Sequence, residues 1–364
     1  MSGGYKKYLI NIIPRLASDS NIESLLCISP ESLNVDKWFE PMRNVEFLSC
    51  APFRPIGYKL GSEVLERLRR FSPDVIFIPI ERPMKFYGVP IVTILQNMEP
   101  FVSGIPKYSL TERIRCWLQY MTGERAVKNA ARVIAVSGFV RDFLINTWNI
   151  SSDKIGLVNY GLAFEKNAAP IKPGNIPPDW DKKFIFTAGS VRPARGLEDL
   201  ILAAKNVNFD SLGIKGVVIA GIIAPNMLKY KQRLLNLIKD NDLTSRFIFL
   251  GEIDSLRMRW CYENCRVFIA TSRVESFGMV GVEAMAHGCV CVVADNPCLP
   301  EIFRDCAVYY NPKDAIGLAG VISSVLTRKE DKRLEMSRKA RERAGEFSWE
   351  KTAKELIKEL KNAL

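Results

Sequence analysis

The 364 residues read as an α/β protein: two Rossmann-like, doubly wound domains facing each other across a cleft. Three observations carry that reading. Short β-branched runs alternate with longer amphipathic stretches from end to end, the pattern of parallel strands joined by crossover helices. A gap near the middle holds Pro170, Pro173, Pro177 and Pro178, which block both helix and central strand. At about 100–200 residues per domain, the chain is also too long for one ordinary core and suits two.

The strand candidates in the first half are residues 25–29, 45–50, 74–80, 90–96, 132–137 and 154–160. In the second half they are 184–188, 216–221, 246–251, 267–271, 290–294 and 307–310. The alternation stops between Glu165 and Lys182, giving an amino-terminal domain over 1–165, a linker over 166–182 and a second domain over 183–347. From Asp314 onward the sequence is helical. The last segment, 348–364, opens on a cap formed by Ser348 and Lys351, though Glu or Gln at 351 is the stronger signal, and is expected to pack back on the first domain. No repeat of 20–50 residues is visible, which argues against a solenoid.

Composition narrows the function classes. With 48% hydrophobic and 25% charged residues the chain lies in the ordinary globular range, away from disorder. No apolar run approaches the ~18 residues of a membrane span and no signal peptide opens the chain, so a cytoplasmic protein is expected. Nine cysteines without a CxxC pair, and a single histidine, His287, argue for free thiols in a reducing compartment and against metal clusters. The net charge of +11 is spread as +5 over residues 1–170 and +6 over 171–364. Phosphorylated small molecules or an anionic membrane suit that balance better than nucleic acid, for which no zinc-finger, RNP or helix-turn-helix signature exists.

The most informative stretch is Glu275-Ser-Phe-Gly-Met-Val-Gly-Val-Glu283, directly after the strand candidate 267–271. A helix starting near Phe277 points the amides of Phe277, Gly278, Met279 and Val280 at an anion, and Gly278 lets that anion approach the backbone. At about 1.5 Å rise per residue the two glutamates bracket roughly 12 Å, the length of a sugar, a pyrophosphate and a ribose in sequence. A lone acid pair at this spacing is weak, because any amphipathic helix shows it. A second strand-to-helix corner strengthens it: Gly189-Ser-Val-Arg-Pro-Ala-Arg-Gly196 places Arg192 and Arg195 where guanidinium groups neutralise a leaving diphosphate.

Together these pieces resemble family 4 of the retaining nucleotide-sugar glycosyltransferases, which have the two-domain GT-B fold. The match runs through most of the chain: Ala131-Arg-Val-Ile-Ala-Val-Ser137, Asn159-Tyr-Gly161, Phe249-Leu-Gly251, the EX7E element with Ala284-Met-Ala-His-Gly288, and Leu299-Pro-Glu-Ile302. The resemblance implies that Glu283 binds the ribose, that Glu275 contacts hydroxyls of the transferred sugar, and that the Phe277–Val280 amides meet the diphosphate, with Ser276 and Gly251 also on the donor side. Arg195 stands at the family's lysine position. Ser190 stands where an arginine is expected, with Arg192 as a substitute.

Many relatives place a histidine after the fifth strand of the first domain, whereas this chain has Gln96-Asn97 there, resembling a branch that carries Gln-Asn. With His287 as the sole histidine, no imidazole serves as base in that domain. The resemblance then implies retention by a front-face route, in which the departing phosphate takes the acceptor proton. Glu275, Arg192, Arg195 and Asn97 are the catalytic candidates, Gln96 holds donor or acceptor, and neither metal nor cofactor is expected. The acceptor class is a glycan or lipid-linked glycan. A non-catalytic accessory subunit is the alternative, and a nucleotide-sugar epimerase is disfavoured by the single histidine.

Two further expectations concern the first domain. Relatives open with a β-strand before a Gly-Gly loop that approaches the donor, but here Gly3-Gly4, the donor-binding candidates, come at once, followed by a helix over 6–16, so the domain is read as short of its first strand, with either an upstream start or a loosened sheet. Residues 108–129 interleave Arg113, Arg115, Arg125 and Lys128 with Ile114, Trp117, Leu118, Tyr120 and Met121. Such a helix suits peripheral contact with an anionic inner membrane face, but a crossover helix with solvated charges is the plainer reading.

Overall fold

The computed structural model describes residues 3–52, 60–84, 86, 88–102, 110–162 and 168–364. Tyr108 of the basic-aromatic stretch and 166–167 at the start of the linker lie outside them. The chain divides into two compact units.

The first unit runs α1 (Gly3–Ala17), β1 (Leu25–Pro30), β2 (Val45–Cys50), α2 (Ser62–Phe71), β3 (Ile76–Ile78), β4 (Ile91–Leu95), α3 (Leu110–Asn129), β5 (Arg132–Ala135), α4 (Gly138–Asn146) and β6 (Ile155–Leu157). All its strand pairings are parallel, in two sheets: β1-β2, and β3-β4-β5-β6. Val92, Ile94, Leu95 and Val133–Ala135 are almost wholly buried, as expected of strands covered on both faces. In contrast, all six residues of β1 are only half-buried. Among the described residues no strand precedes α1, and β1 and β3 are each paired along one edge only. The Gly3-Gly4 loop is corrected: both glycines form the first turn of α1, where the unpaired amides of a helix start put no demand on a side chain.

The second unit runs β7 (Phe184–Ala188), α5 (Leu197–Ala204), β8 (Gly216–Ala220), α6 (Leu228–Asp240), β9 (Phe247–Gly251), α7 (Ser255–Asn264), β10 (Val267–Ala270), α8 (Met279–Ala286), β11 (Cys291–Ala294), α9 (Leu299–Phe303), β12 (Ala307–Tyr310), α10 (Ala315–Leu326) and α11 (Glu330–Gly345). Its six parallel strands lie in the order β12-β11-β10-β7-β8-β9. The chain winds outward from β7 to β9, returns to β10 beside β7, and winds outward again. That reversal makes β7/β10 the topological switch point, where loops diverge and leave a crevice. The stretch read as a linker is docked from Pro170 on: Ile171 donates its amide to Leu256 at 3.2 Å, and Ile176 and Trp180 are buried.

After α11 the chain returns to the first unit as α12 (Trp349–Lys361). Ser348 caps the helix by accepting the Lys351 amide at 3.2 Å, and Trp349 is fully buried. Arg132 Nε donates to Glu359 at 2.6 Å, and Thr352 Oγ1 donates to the Asn159 carbonyl at 2.8 Å. Close approach is built into the sequence here, since a Cβ on Gly161 would lie 2.2 Å from the Trp349 nitrogen.

Two glycine substitutions separate packing from helix propensity. Gly161→Ala forces α12 away from its seat and is expected to destabilise by about 1–3 kcal/mol. Gly320→Ala, in α10 with open space at its Cβ position, is expected to stabilise by about 0.5–1 kcal/mol. Denaturant melts of the two variants beside the parent check both signs.

Candidate functional site

The loops after β7 and β10 both leave the switch point, and a set of bonds laces them together. Thr271 Oγ1 donates to the Arg195 carbonyl at 2.7 Å, and the Arg273 amide donates to the Ala194 carbonyl at 2.7 Å. Gly196, at φ +58°, allows this approach, because a Cβ there would meet the Thr271 oxygen at 2.4 Å. One residue further on, the Arg273 guanidinium grips Asp199 of α5 with two bonds of 2.5 and 2.6 Å. Asp199 is buried and also accepts the Tyr310 hydroxyl at 3.1 Å and the Lys313 amide at 2.9 Å.

On that frame sit the charged groups. Arg195 pairs with Glu275 and donates to Ser272 Oγ at 3.1 Å, while Ser272 donates to the same Glu275 oxygen at 3.0 Å. Ser272 is held in turn by Asn296, whose Nδ2 donates to its carbonyl at 2.6 Å. A cavity opens among Arg195, Ser272, Glu275, Gly278, Val280 and Thr187. One wall is the start of α8, where Gly278 takes a left-handed conformation at φ +85° as the N-cap. The first-turn amides of Met279 and Val280 then lack intrahelical acceptors and carry the positive end of the helix dipole. The Arg195 guanidinium, the Glu275 carboxylate and Val280 of the first helical turn therefore line one space.

The structure moves part of the expected cradle. The helix starts at Met279 rather than Phe277, because the left-handed Gly278 interrupts propagation; Phe277 lies before the cap with its side chain buried. Glu275 is thus on a loop, and the 12 Å bracket computed from helical rise does not apply. Ser276, next to Glu275, is buried. Glu283 remains on α8 and accepts the Tyr262 hydroxyl at 3.3 Å. Tyr262 stacks on His287, with ring centroids 5.3 Å apart and planes 8° from parallel, and His287 Nδ1 lies 3.5 Å from Glu263. Burial lowers the His287 pKa, so the ring is neutral at pH 7. Histidine and tyrosine together brace Glu283.

Other candidates lie elsewhere. Arg192 begins the 3-10 turn Pro193–Arg195, and Arg195 is the guanidinium tied to Glu275. Ser190 adjoins Gly221 at the β7/β8 corner, and Gly251 ends β9, two strands from β7, where its carbonyl accepts the Gly221 amide at 2.7 Å. Gly3, Gly4, Gln96 and Asn97 belong to the first unit. Gln96 is occupied at both ends of its amide, donating to the Pro79 carbonyl and accepting the Tyr160 hydroxyl at 2.7 Å. Asn97 is exposed and closes a turn by accepting the Glu99 amide at 3.2 Å.

Sequence reasoning missed Tyr262, Asp199, Arg273 and, in the first unit, Glu81. The Glu81 carboxylate follows β3 and accepts the Gln96 amide, yet its Oε2 is sealed from solvent without a partner among the described residues. Burial raises its pKa from 4.5 to about 7. Among the described residues no cluster of three or more His, Cys, Asp or Glu side chains is placed to hold a metal ion, and no helix is long and apolar enough to cross a membrane.

Residues 171–343 match a family described as glycosyl transferases group 1, and residues 3–165 one described as glycosyltransferase family 4. The O-antigen chain mannosyltransferase RfbU of Salmonella typhimurium is 24% identical over 200 residues, 55% of this chain and 52% of that one. The serotype-specific mannosyltransferase WbdA of Escherichia coli is 25% identical over 240 residues, 64% of this chain and 29% of that one. The chain therefore spans about half or less of these relatives' lengths. A glycosyltransferase from Rickettsia africae superposes with a TM-score of 0.71 at 15% identity, covering 100% of this chain and 95% of its own. Anabaena HepE, solved with UDP and glucose, gives 0.68 at 18% identity, covering 99% and 96%. These likenesses show the GT-B glycosyltransferase fold.

Glu81 gives the first unit a pH signature. A carboxyl whose folded pKa is raised stabilises the fold fully below about 4.5, and the contribution is lost as pH rises through about 7. Glu81→Gln, which cannot ionise, is expected to match the parent near pH 5 and to exceed it by on the order of 1–3 kcal/mol at pH 8. Thermal melts across that range check the crossover.

Proposed function

The chain belongs to the family 4, group 1 glycosyltransferases, and from that premise we propose that it transfers a hexose from a nucleotide diphosphate sugar to a glycan or lipid-linked acceptor. The observation that carries the reading is the cluster at the β7/β10 switch point, where Arg195, Ser272, Glu275 and the start of α8 share one cavity. The mannosyltransferase names of the two bacterial relatives support a hexose donor.

In the proposed reaction the diphosphate lies against Arg195 and the Met279 and Val280 amides, which stabilise negative charge as it grows on the leaving group. Glu275 takes hydroxyls of the transferred sugar, and Glu283, braced by Tyr262, takes the ribose. The bond from the anomeric carbon to the diphosphate oxygen breaks, and the acceptor hydroxyl oxygen bonds to that carbon on the same face. The acceptor proton passes to the departing phosphate oxygen, giving a nucleoside diphosphate and a glycoside with retained configuration. The positive charge needed comes from a guanidinium and a helix terminus, so the scheme runs without a metal.

Arg195→Ala is expected to weaken nucleoside diphosphate binding by roughly 10–100-fold, the weight of a charge-assisted phosphate contact. Glu275→Gln frees Arg195, so nucleotide affinity is retained while turnover falls by about 10²–10³-fold. Calorimetry with a nucleotide-sugar panel, followed by transfer assays with the donor that binds, measures both. A wild-type protein that binds no nucleotide sugar overturns the reading.

A further inference from the structure

Side chains pin the carboxyl ends of β3 and β4 to each other. Thr93 Oγ1 donates to the Ile80 carbonyl at 2.8 Å, and Gln96 Nε2 donates to the Pro79 carbonyl. Tyr160, buried after β6, donates its hydroxyl to the other end of the Gln96 side chain at 2.7 Å. Glu81 comes next on this held loop, and its carboxyl accepts two backbone amides, its own and that of Gln96. Gly123 of α3 packs against it: a Cβ there would lie 3.4 Å from the Glu81 Cγ and 3.1 Å from the Phe101 ring.

The arrangement suits an uncharged carboxyl. Oε2 is sealed from solvent without a partner among the described residues, so ionisation would put charge on an oxygen that has neither donor nor water. Burial accordingly raises the Glu81 pKa to about 7. Among the described residues the charged and titratable groups that face it are Arg82 on its own loop and Tyr160, which Tyr8 of α1 faces in turn. Arg82 is exposed, so an ionised Glu81 is drawn toward water and that guanidinium, away from the Gln96 amide. Pro79 and Ile80 are held, so the side chain moves while the loop stays. The amide it leaves opens the turn in which exposed Asn97 accepts the Glu99 amide at 3.2 Å. The carboxyl ends of parallel strands are also where doubly wound sheets meet their ligands.

We propose that Glu81 is a positioning residue: uncharged, it holds the Gln96–Asn97 corner in one geometry for a substrate hydroxyl, and ionised, it releases that corner. The effect on turnover rests on the transfer reading, whereas the release itself is read without any substrate.

Gln96, Gln119 and Gln232 are the only glutamines of the chain, so glutamine-selective isotope labelling gives three backbone amide resonances. The sole histidine, His287, lies in the second unit, so no imidazole titrates in the first. In the parent the Gln96 amide is expected to shift through a single transition near pH 7, while Gln119 on α3 does not share it. In Glu81→Gln, which accepts the same bond but cannot ionise, the Gln96 transition is lost. Transfer assays give the second arm. The ratio of Glu81→Gln to parent kcat/KM is expected to lie near one at about pH 6 and to reach roughly tenfold at about pH 8, with equal nucleoside diphosphate affinity in the two proteins. The proposal falls if the Gln96 amide does not titrate, if it titrates equally in Glu81→Gln, or if both proteins share one pH–activity profile. A parent that transfers no sugar overturns the transfer reading instead, and the amide titration then decides this proposal alone.

Discussion

The pairing of Arg273 with Asp199 is the constraint on which the second unit's chemistry rests. One carboxylate ties α5, the loop after β10, the end of β12 and the turn before α10 into a single point. Asp199 is removed from water, so losing Arg273 leaves a buried carboxylate without its counter-charge, a cost of about 3–5 kcal/mol. Its position matters as much as its strength. Asp199 lies four residues beyond Arg195, and Arg273 sits between Ser272 and Glu275, so this pair fixes the separation of the two loops that hold the charged groups. Unlaced, the loops would follow α5 and α8 in their divergent directions.

Much of this was legible in one sequence, because parallel sheets write themselves as apolar runs. All twelve strand candidates became strands, and 45–50, 184–188 and 307–310 kept their limits. The failures were at ends. The run 74–80 gave only Ile76–Ile78, and 154–160 gave only Ile155–Leu157. A strand stops where its neighbour stops pairing, and that is not written in the strand's own residues. The start of α8 failed for a local reason: glycine at 278 reads equally as a flexible helix residue or as a left-handed cap, and only the packed structure chooses.

What was not legible is what no periodicity encodes. Tyr262 meets Glu283 across 21 residues and two elements, and nothing in the stretch around 262 distinguishes it from a core tyrosine. Glu81 stands at the end of a short strand like any loop glutamate. Its Oε2 is buried without a partner among the described residues, while the Gln96 amide donates to the same carboxylate. Gln96, expected to hold donor or acceptor, has its amide bonded to Pro79 and Tyr160 in this structure.

The ion pair between Arg195 and Glu275 bears on how the proposed donor would be received. Arg195 and Glu275 satisfy each other, with side chains 23% and 16% exposed, so neither presents a bare charge to the cavity. A single carboxylate balances the guanidinium, whereas a diphosphate brings more negative charge to the same cation and adds bonds from the Met279 and Val280 amides, which Glu275 does not use. Exchange is favourable only when both sets of contacts form, because an anion that reached Arg195 alone would replace one charge-assisted bond with another. Under the proposed reaction, Glu275 would be released to sugar hydroxyls once a diphosphate had engaged Arg195 and the helix start together. On that reading the ion pair would favour a ligand that engages both loops over one that reaches the arginine alone.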